Sequence, residues 1–286
     1  MFTRAVKTDA KLRLALAGPP GSGKSYTALS LAQALADGQG VALIDTEHGS
    51  ASKYADLFPP FDCLNLETFH PDLYVEAIKA AERGGYAVLI IDSLSHAWNG
   101  KGGLLELVDG IARRSKSGNT YVAWGEATPI QNRLIDTLLG AKLHVLATMR
   151  SKMEYAQEKD EQTHRTIIRK LGMAPIQRDQ VEYEFDVVGD LDTDHTLLIQ
   201  KSRCPALSGA IIPRPGPDLA TILRSWLSGA QPAEVERAAL AAQITYLRAA
   251  LGEAAPDVAG MEQATEEQLR KERTRLTTKH AGSKTA

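Results

Sequence analysis

Short apolar runs alternate with stretches of helical spacing through the first half of the chain. Residues 12–17 (Leu-Arg-Leu-Ala-Leu-Ala) predict a short buried strand, and the Ala and Leu spacing over 25–35 predicts a helix. A second strand is expected over 41–45 and a short helix over 50–58, ended by Pro59 and Pro60. Residues 63–66 suggest a third strand. The helix expected over 71–83 opens at Pro71 and Asp72 and stops at Gly84 and Gly85. Residues 87–92 are almost continuously apolar and end in Asp92, the pattern of a central parallel strand covered on both faces. A helix over 128–139, with Pro129 near its first turn, and a strand over 144–148 complete the alternation. This order implies right-handed βαβ crossovers, hence an α/β fold with a mostly parallel central sheet flanked by helices.

The character changes after Met149. Residues 151–169 are highly charged with weak apolar periodicity. Two strands are expected over 183–188 and 196–200, joined by turn-rich residues 189–194 into an antiparallel hairpin at the edge of the core. A helix follows over 218–227. The organisation predicted is a core over 1–228, a linker over 229–232 and a small C-terminal helical appendage over 233–286. That appendage holds helices over 233–251 and 265–278 and a frayed tail over 281–286.

Composition narrows the class only slightly. A chain of 286 residues with formal net charge −2 has no global pull toward nucleic acid, so any such contact must come from local basic clusters. Cys63 and Cys204 have neither metal nor redox spacing, and both are expected to pack as small apolar residues in a reducing compartment. No apolar run approaches a membrane span and the N-terminus lacks a signal-peptide core, so a cytoplasmic location is expected.

The chemistry concentrates between the first strand and the first helix. Gly18, Pro19, Pro20, Gly21, Ser22, Gly23, Lys24 and Ser25 fit the pattern G-x-x-x-x-G-K-[ST] in its required setting of strand, loop and helix. Such a loop turns backbone N–H groups toward phosphates, aided by the positive end of the helix. Lys24 would reach the β and γ phosphates of ATP and Ser25 would ligate Mg²⁺, with Tyr26 completing the nucleotide-binding set. Asp92, at a strand end, is a second candidate for holding Mg²⁺; capping of the following helix is the plain alternative. Glu47, just past the second strand, is placed either to orient an attacking water or to lie as an ordinary solvated loop acid.

Residues 42–48 (Ala-Leu-Ile-Asp-Thr-Glu-His), 89–93 (Leu-Ile-Ile-Asp-Ser) and 198–203 (Leu-Ile-Gln-Lys-Ser-Arg), with the glycine loop, resemble the RecA/RadA family in the same order over about residues 12–215. The resemblance implies a RecA-like P-loop core in which Glu47 is the catalytic carboxylate. It also implies that Lys201 and Arg203 reach the nucleotide of a neighbouring subunit in a homo-oligomer, filament or ring. Thr148 falls where the family carries a polar sensor of the γ-phosphate, although that residue is usually an amide. Residues 148–155, 171–176 and 182–186 are similar to RecA-like ATP-binding proteins of phages and prophages, some of which assist single-strand annealing or recombination.

Two segments sit where such proteins place DNA loops: residues 98–103 with 113–116, and residues 151–170 with Lys152, Lys159, His164, Arg165, Arg169 and Lys170. Trp98 or Tyr155 would stack on single-stranded DNA bases. Glu154, Glu158, Asp160 and Glu161 dilute the second segment, and a solvated charged loop remains an equal reading. Trp124 and Trp226 are expected to pack. The function expected is an Mg²⁺-dependent, assembly- and DNA-stimulated ATPase, with a single-strand-binding or recombination protein as partner. Its rivals are an ATP-switched interaction protein with little turnover, a ring translocase or helicase, and a small-molecule kinase, for which no acceptor site is evident.

Overall fold

The computed structural model describes residues 10–115, 119–159, 166–254 and 258–283, together with Phe2 and Arg4. Among the described residues the strands are, in chain order, β1 (Arg13–Gly18), β2 (Val41–Asp45), β3 (Asp62–Asn65), β4 (Val88–Asp92), β5 (His144–Lys159), β6 (Thr166–Pro175), β7 (Val187–Leu191), β8 (Thr196–Ser202) and β9 (Ile211–Pro213). The helices are α1 (Lys24–Ala36), α2 (Pro71–Arg83), α3 (Ser95–Asn99), α4 (Leu104–Arg114), α5 (Thr120–Gly140), α6 (Pro217–Leu227), α7 (Pro232–Ala250), α8 (Val258–Gln263) and α9 (Glu266–Ser283).

The sheet runs β3-β2-β4-β5-β1-β7-β8-β9. Its strands are parallel from β3 to β7, and β8 and β9 extend it antiparallel. Strand alternation divides the core into two layers. Leu14, Leu16, Val88, Ile90 and Leu146 face α1 and α6, while Ala15, Ala17, Leu89, Ile91, Val145 and Ala147 face α2 and α5. Every residue of β1 and β4 is buried, as strands covered on both faces must be. The mostly parallel sheet flanked by helices is the expected fold.

Several local expectations are corrected. Helix α5 begins eight residues before the expected start, and Pro129 lies inside it. Asn119 supplies the start signal instead, its side chain accepting from the N–H of Tyr121 at 2.9 Å. Strand β5 does not stop at Thr148 but continues to Lys159 and pairs antiparallel with β6, so the charged segment contains a two-stranded ribbon rather than a loop. The strand expected over 183–188 lies later, at β7, because Val181–Glu184 forms a 3₁₀ turn. The helix expected over 50–58 is a 3₁₀ turn at Ser50–Tyr54. Cys204 is buried as expected, but Cys63 is exposed because β3 is an edge strand with all four residues exposed. A third short helix, α8, interrupts the C-terminal pair, and α9 runs to Ser283, into the expected tail, of which residues 284–286 lie outside the described residues.

Helix α7 serves two layers. Its Val235 and Ala239 join the main core, whereas Leu240, Ile244 and Leu247 pack with Leu269 and Leu276 of α9. Among the described residues no helix is long and apolar enough to cross a membrane.

Candidate nucleotide site

The loop between β1 and α1 is shaped by two glycines. At Gly23 φ is +87°, which glycine adopts without steric cost. A Cβ on Gly18 would meet the Leu191 carbonyl oxygen at 2.5 Å, so no side chain fits where β1 passes β7. Lys24 folds over the loop, its Nζ donating to the carbonyls of Gly18 at 3.0 Å and Pro19 at 2.8 Å. Burial lowers its pKa from the ordinary lysine value, opposed by Asp92 and Glu47 and reinforced by Arg150.

Parallel register brings the acids together. Asp45 and Asp92 are paired across β2 and β4 at the same end of the sheet as the glycine loop. Asp45 is buried and accepts from the backbone N–H of Glu47 at 2.6 Å and of Ala51 at 2.8 Å, which fixes the turn carrying Glu47. Burial raises the pKa of Asp92, while hydrogen bonds from the Ser25 and Thr148 hydroxyls lower it. A buried carboxylate beside a serine hydroxyl is an all-oxygen donor set that suits a hard divalent cation. The Asp92–Ser93 peptide is cis.

Thr46 holds this corner. Its Oγ1 donates to the Asp92 carbonyl at 3.0 Å, accepts from the Ser93 N–H at 2.8 Å and lies 2.6 Å from His96 Nδ1. The His96 ring stacks on Phe69, and burial, then Arg150, lowers its pKa. Thr46→Val is expected to cost about 1–3 kcal/mol, because the buried Ser93 N–H loses its acceptor. Denaturant unfolding midpoints at unchanged slope measure the loss.

A cavity of about 1160 Å³ joins these groups. Of the expected residues it is lined by Pro20, Gly21, Gly23, Lys24, Ser25, Tyr26, Glu47 and Asp92. Tyr26 packs edge-on against Phe58 and Tyr54. Gly18, Pro19 and Ser22 shape the loop without lining the cavity. Thr148 is likewise absent from the wall: it is fully buried and its hydroxyl donates to Asp92 Oδ1. In this structure the Thr148 hydroxyl braces Asp92. Lys201 and Arg203 lie away from this cavity. Lys201 Nζ donates to the carbonyls of Glu182, Tyr183 and Phe185, and Arg203 pairs with Asp186 at 2.8 Å.

Among the wall residues that sequence reasoning passed over are three that can carry charge, Arg150, His195 and Arg214. Arg150 donates to Glu47 Oε1 through both Nε and Nη2, at 3.1 and 2.8 Å. Its position two residues past Thr148 was the available signal. His195 and Arg214 had none, since they reach the loop only through the fold.

Of the expected DNA segments, Trp98 lies tilted against Trp124 with ring centroids 5.8 Å apart and packs with the apolar side chains of α4 and α5. Lys116, Asp160, Glu161, His164 and Arg165 lie outside the described residues, as do the side chains of Tyr155, Lys159, Arg169 and Lys170. Trp124 and Trp226 pack against apolar clusters as expected.

A search of curated proteins gives no match. A family model described as AAA domain matches residues 10–206, well over half of the 286 residues, and spans the glycine loop, both paired acids and the sheet as far as β8. The chain therefore belongs to this AAA domain family of P-loop ATPases.

Proposed function

We propose that the chain is a RecA-like, Mg²⁺-dependent ATPase that works as an oligomer on single-stranded DNA, in phage or prophage recombination or annealing. One observation carries the catalytic part. Glu47 lines the same cavity as Lys24, Ser25 and Asp92, on the turn that follows the strand paired with β4. Residues of the glycine loop bind the triphosphate, Lys24 neutralises its terminal charge, and Ser25 and Asp92 hold Mg²⁺. The ion would supply charge neutralisation of the β and γ phosphates. Glu47 orients water toward the γ-phosphate once Arg150 releases it. Lys201 and Arg203 complete the site of an adjacent subunit, where cations stabilise transition-state charge.

A second reading, an ATP-switched interaction protein with little turnover, draws support from the same corner. The Arg150 fork engages Oε1 of the carboxylate that must position water. The two readings separate in one experiment. ATPase rate per subunit should rise with protein concentration and rise again with single-stranded DNA for the recombination enzyme. A flat, slow rate under both conditions would favour the switch. For the trans pair, mixing Arg203→Ala with Glu47→Gln subunits is expected to recover part of the parent activity. Absence of rescue at every ratio would refute action of the basic pair in trans.

A further inference from the structure

The cations around the cavity differ in what they hold. Lys24 donates to loop carbonyls and Arg150 to Glu47. Arg214 also lines the cavity and is exposed, yet its guanidinium has no hydrogen bond or ion pair among the described residues. Its backbone stands in the left-handed region at φ 45°, which a residue with a side chain occupies only when its surroundings impose it. One contact there ties it to His195. Arg214 N–H donates to the His195 carbonyl at 2.8 Å.

His195 is left-handed too, at φ 61°, and its ring rests on the glycine loop. Nδ1 lies 3.1 Å from the Ser22 carbonyl oxygen. A carbonyl can only accept, so Nδ1 carries the hydrogen. The same nitrogen would lie 3.1 Å from a Cβ on Gly23. His195 thus joins the glycine loop, the β7–β8 turn and residues 214–217 in one contact.

Position along the cavity assigns the contact. Lys24, Asp92, Glu47 and Arg150 interact with one another and mark the terminal-phosphate end. Residues 214–217 approach α1 elsewhere: a Cβ on Gly216 would lie 3.6 Å from Ser30 Oγ. Six residues of helix separate Ser30 from Lys24, about 9 Å along the axis. We propose that Arg214 is a nucleotide-binding residue acting on the sugar and α-phosphate end, and that His195 positions it against the glycine loop. The proposal rests on the nucleotide reading above. ATP and ADP share that end, so the contact contributes equally to ground and transition states and shows in binding rather than in turnover.

The test titrates the full chain calorimetrically with ATP and with ADP, alongside steady-state hydrolysis. Arg214→Asn and His195→Gly are chosen because both new residues accept a left-handed backbone. Arg214→Asn is expected to weaken ATP and ADP binding alike, by about tenfold or more, and to raise KM with kcat changed less than about twofold. Arg214→Lys should recover part of the loss, and His195→Gly should weaken both nucleotides in the same sense. Binding by Arg214→Asn equal to the parent, a loss confined to ATP, or a fall in kcat at constant KM would each overturn the Arg214 assignment. Parent-like binding by His195→Gly would overturn the positioning role. A parent that bound neither nucleotide would instead sink the nucleotide reading itself.

Discussion

Glu47→Gln is expected to leave ATP binding within about twofold of the parent and to lower turnover by about 10²–10⁴-fold, the range for loss of a positioned acid–base group. The substitution preserves shape, and the amide oxygen can still accept from Arg150, so the turn fixed by Asp45 should survive. What disappears is the negative charge that orients and polarises water. Phosphate release at saturating ATP, with binding measured separately on the same preparation, separates the two effects. Turnover equal to the parent's would remove Glu47 from the mechanism and leave it as a partner for Arg150.

Lys24→Ala acts earlier in the cycle. Its Nζ is the only lysine amine on the cavity wall among the described residues, and it already braces the carbonyls of Gly18 and Pro19. Removing a charge-assisted contact costs up to about 3 kcal/mol, or roughly 100-fold in affinity, and loosening the loop adds to that. The expected result is no measurable ATP binding at concentrations that saturate the parent. ATP should raise the parent's melting temperature and leave that of the variant unmoved, because only a ligand that binds the native state shifts it. An unliganded melting temperature close to the parent's would show that the fold is intact. A full ATP-induced shift in the variant would contradict the site.

Contiguous signals were the legible ones. The loop from Gly18 to Ser25 and its flanking elements lie within one stretch of chain, and the helix at Pro71–Arg83 carries its own start and stop. Pro129 misled because proline favours a first turn, yet a helix of 21 residues with buried Ala123, Ala127, Leu134 and Leu138 tolerates one missing N–H. The ribbon of β5 and β6 was hidden by charge, which masks the alternation that marks a strand. In the site, Glu47 and Asp92 were visible as acids at strand ends, but the register that pairs β2 with β4 was not. His195 lies 173 residues from Ser22, and no spacing rule reaches across that distance.

The shared helix α7 bears on how the chain can be shortened. A truncation at residue 228 would remove Val235 and Ala239, which are 3% and 5% exposed, and bare the greasy seat beneath them. Such a fragment should be less soluble and more readily digested by protease than the intact chain, whatever its enzymatic competence. A stop placed after residue 239 would keep that seat covered and remove the second cluster whole, α9 together with the Leu240, Ile244 and Leu247 side chains it rests on.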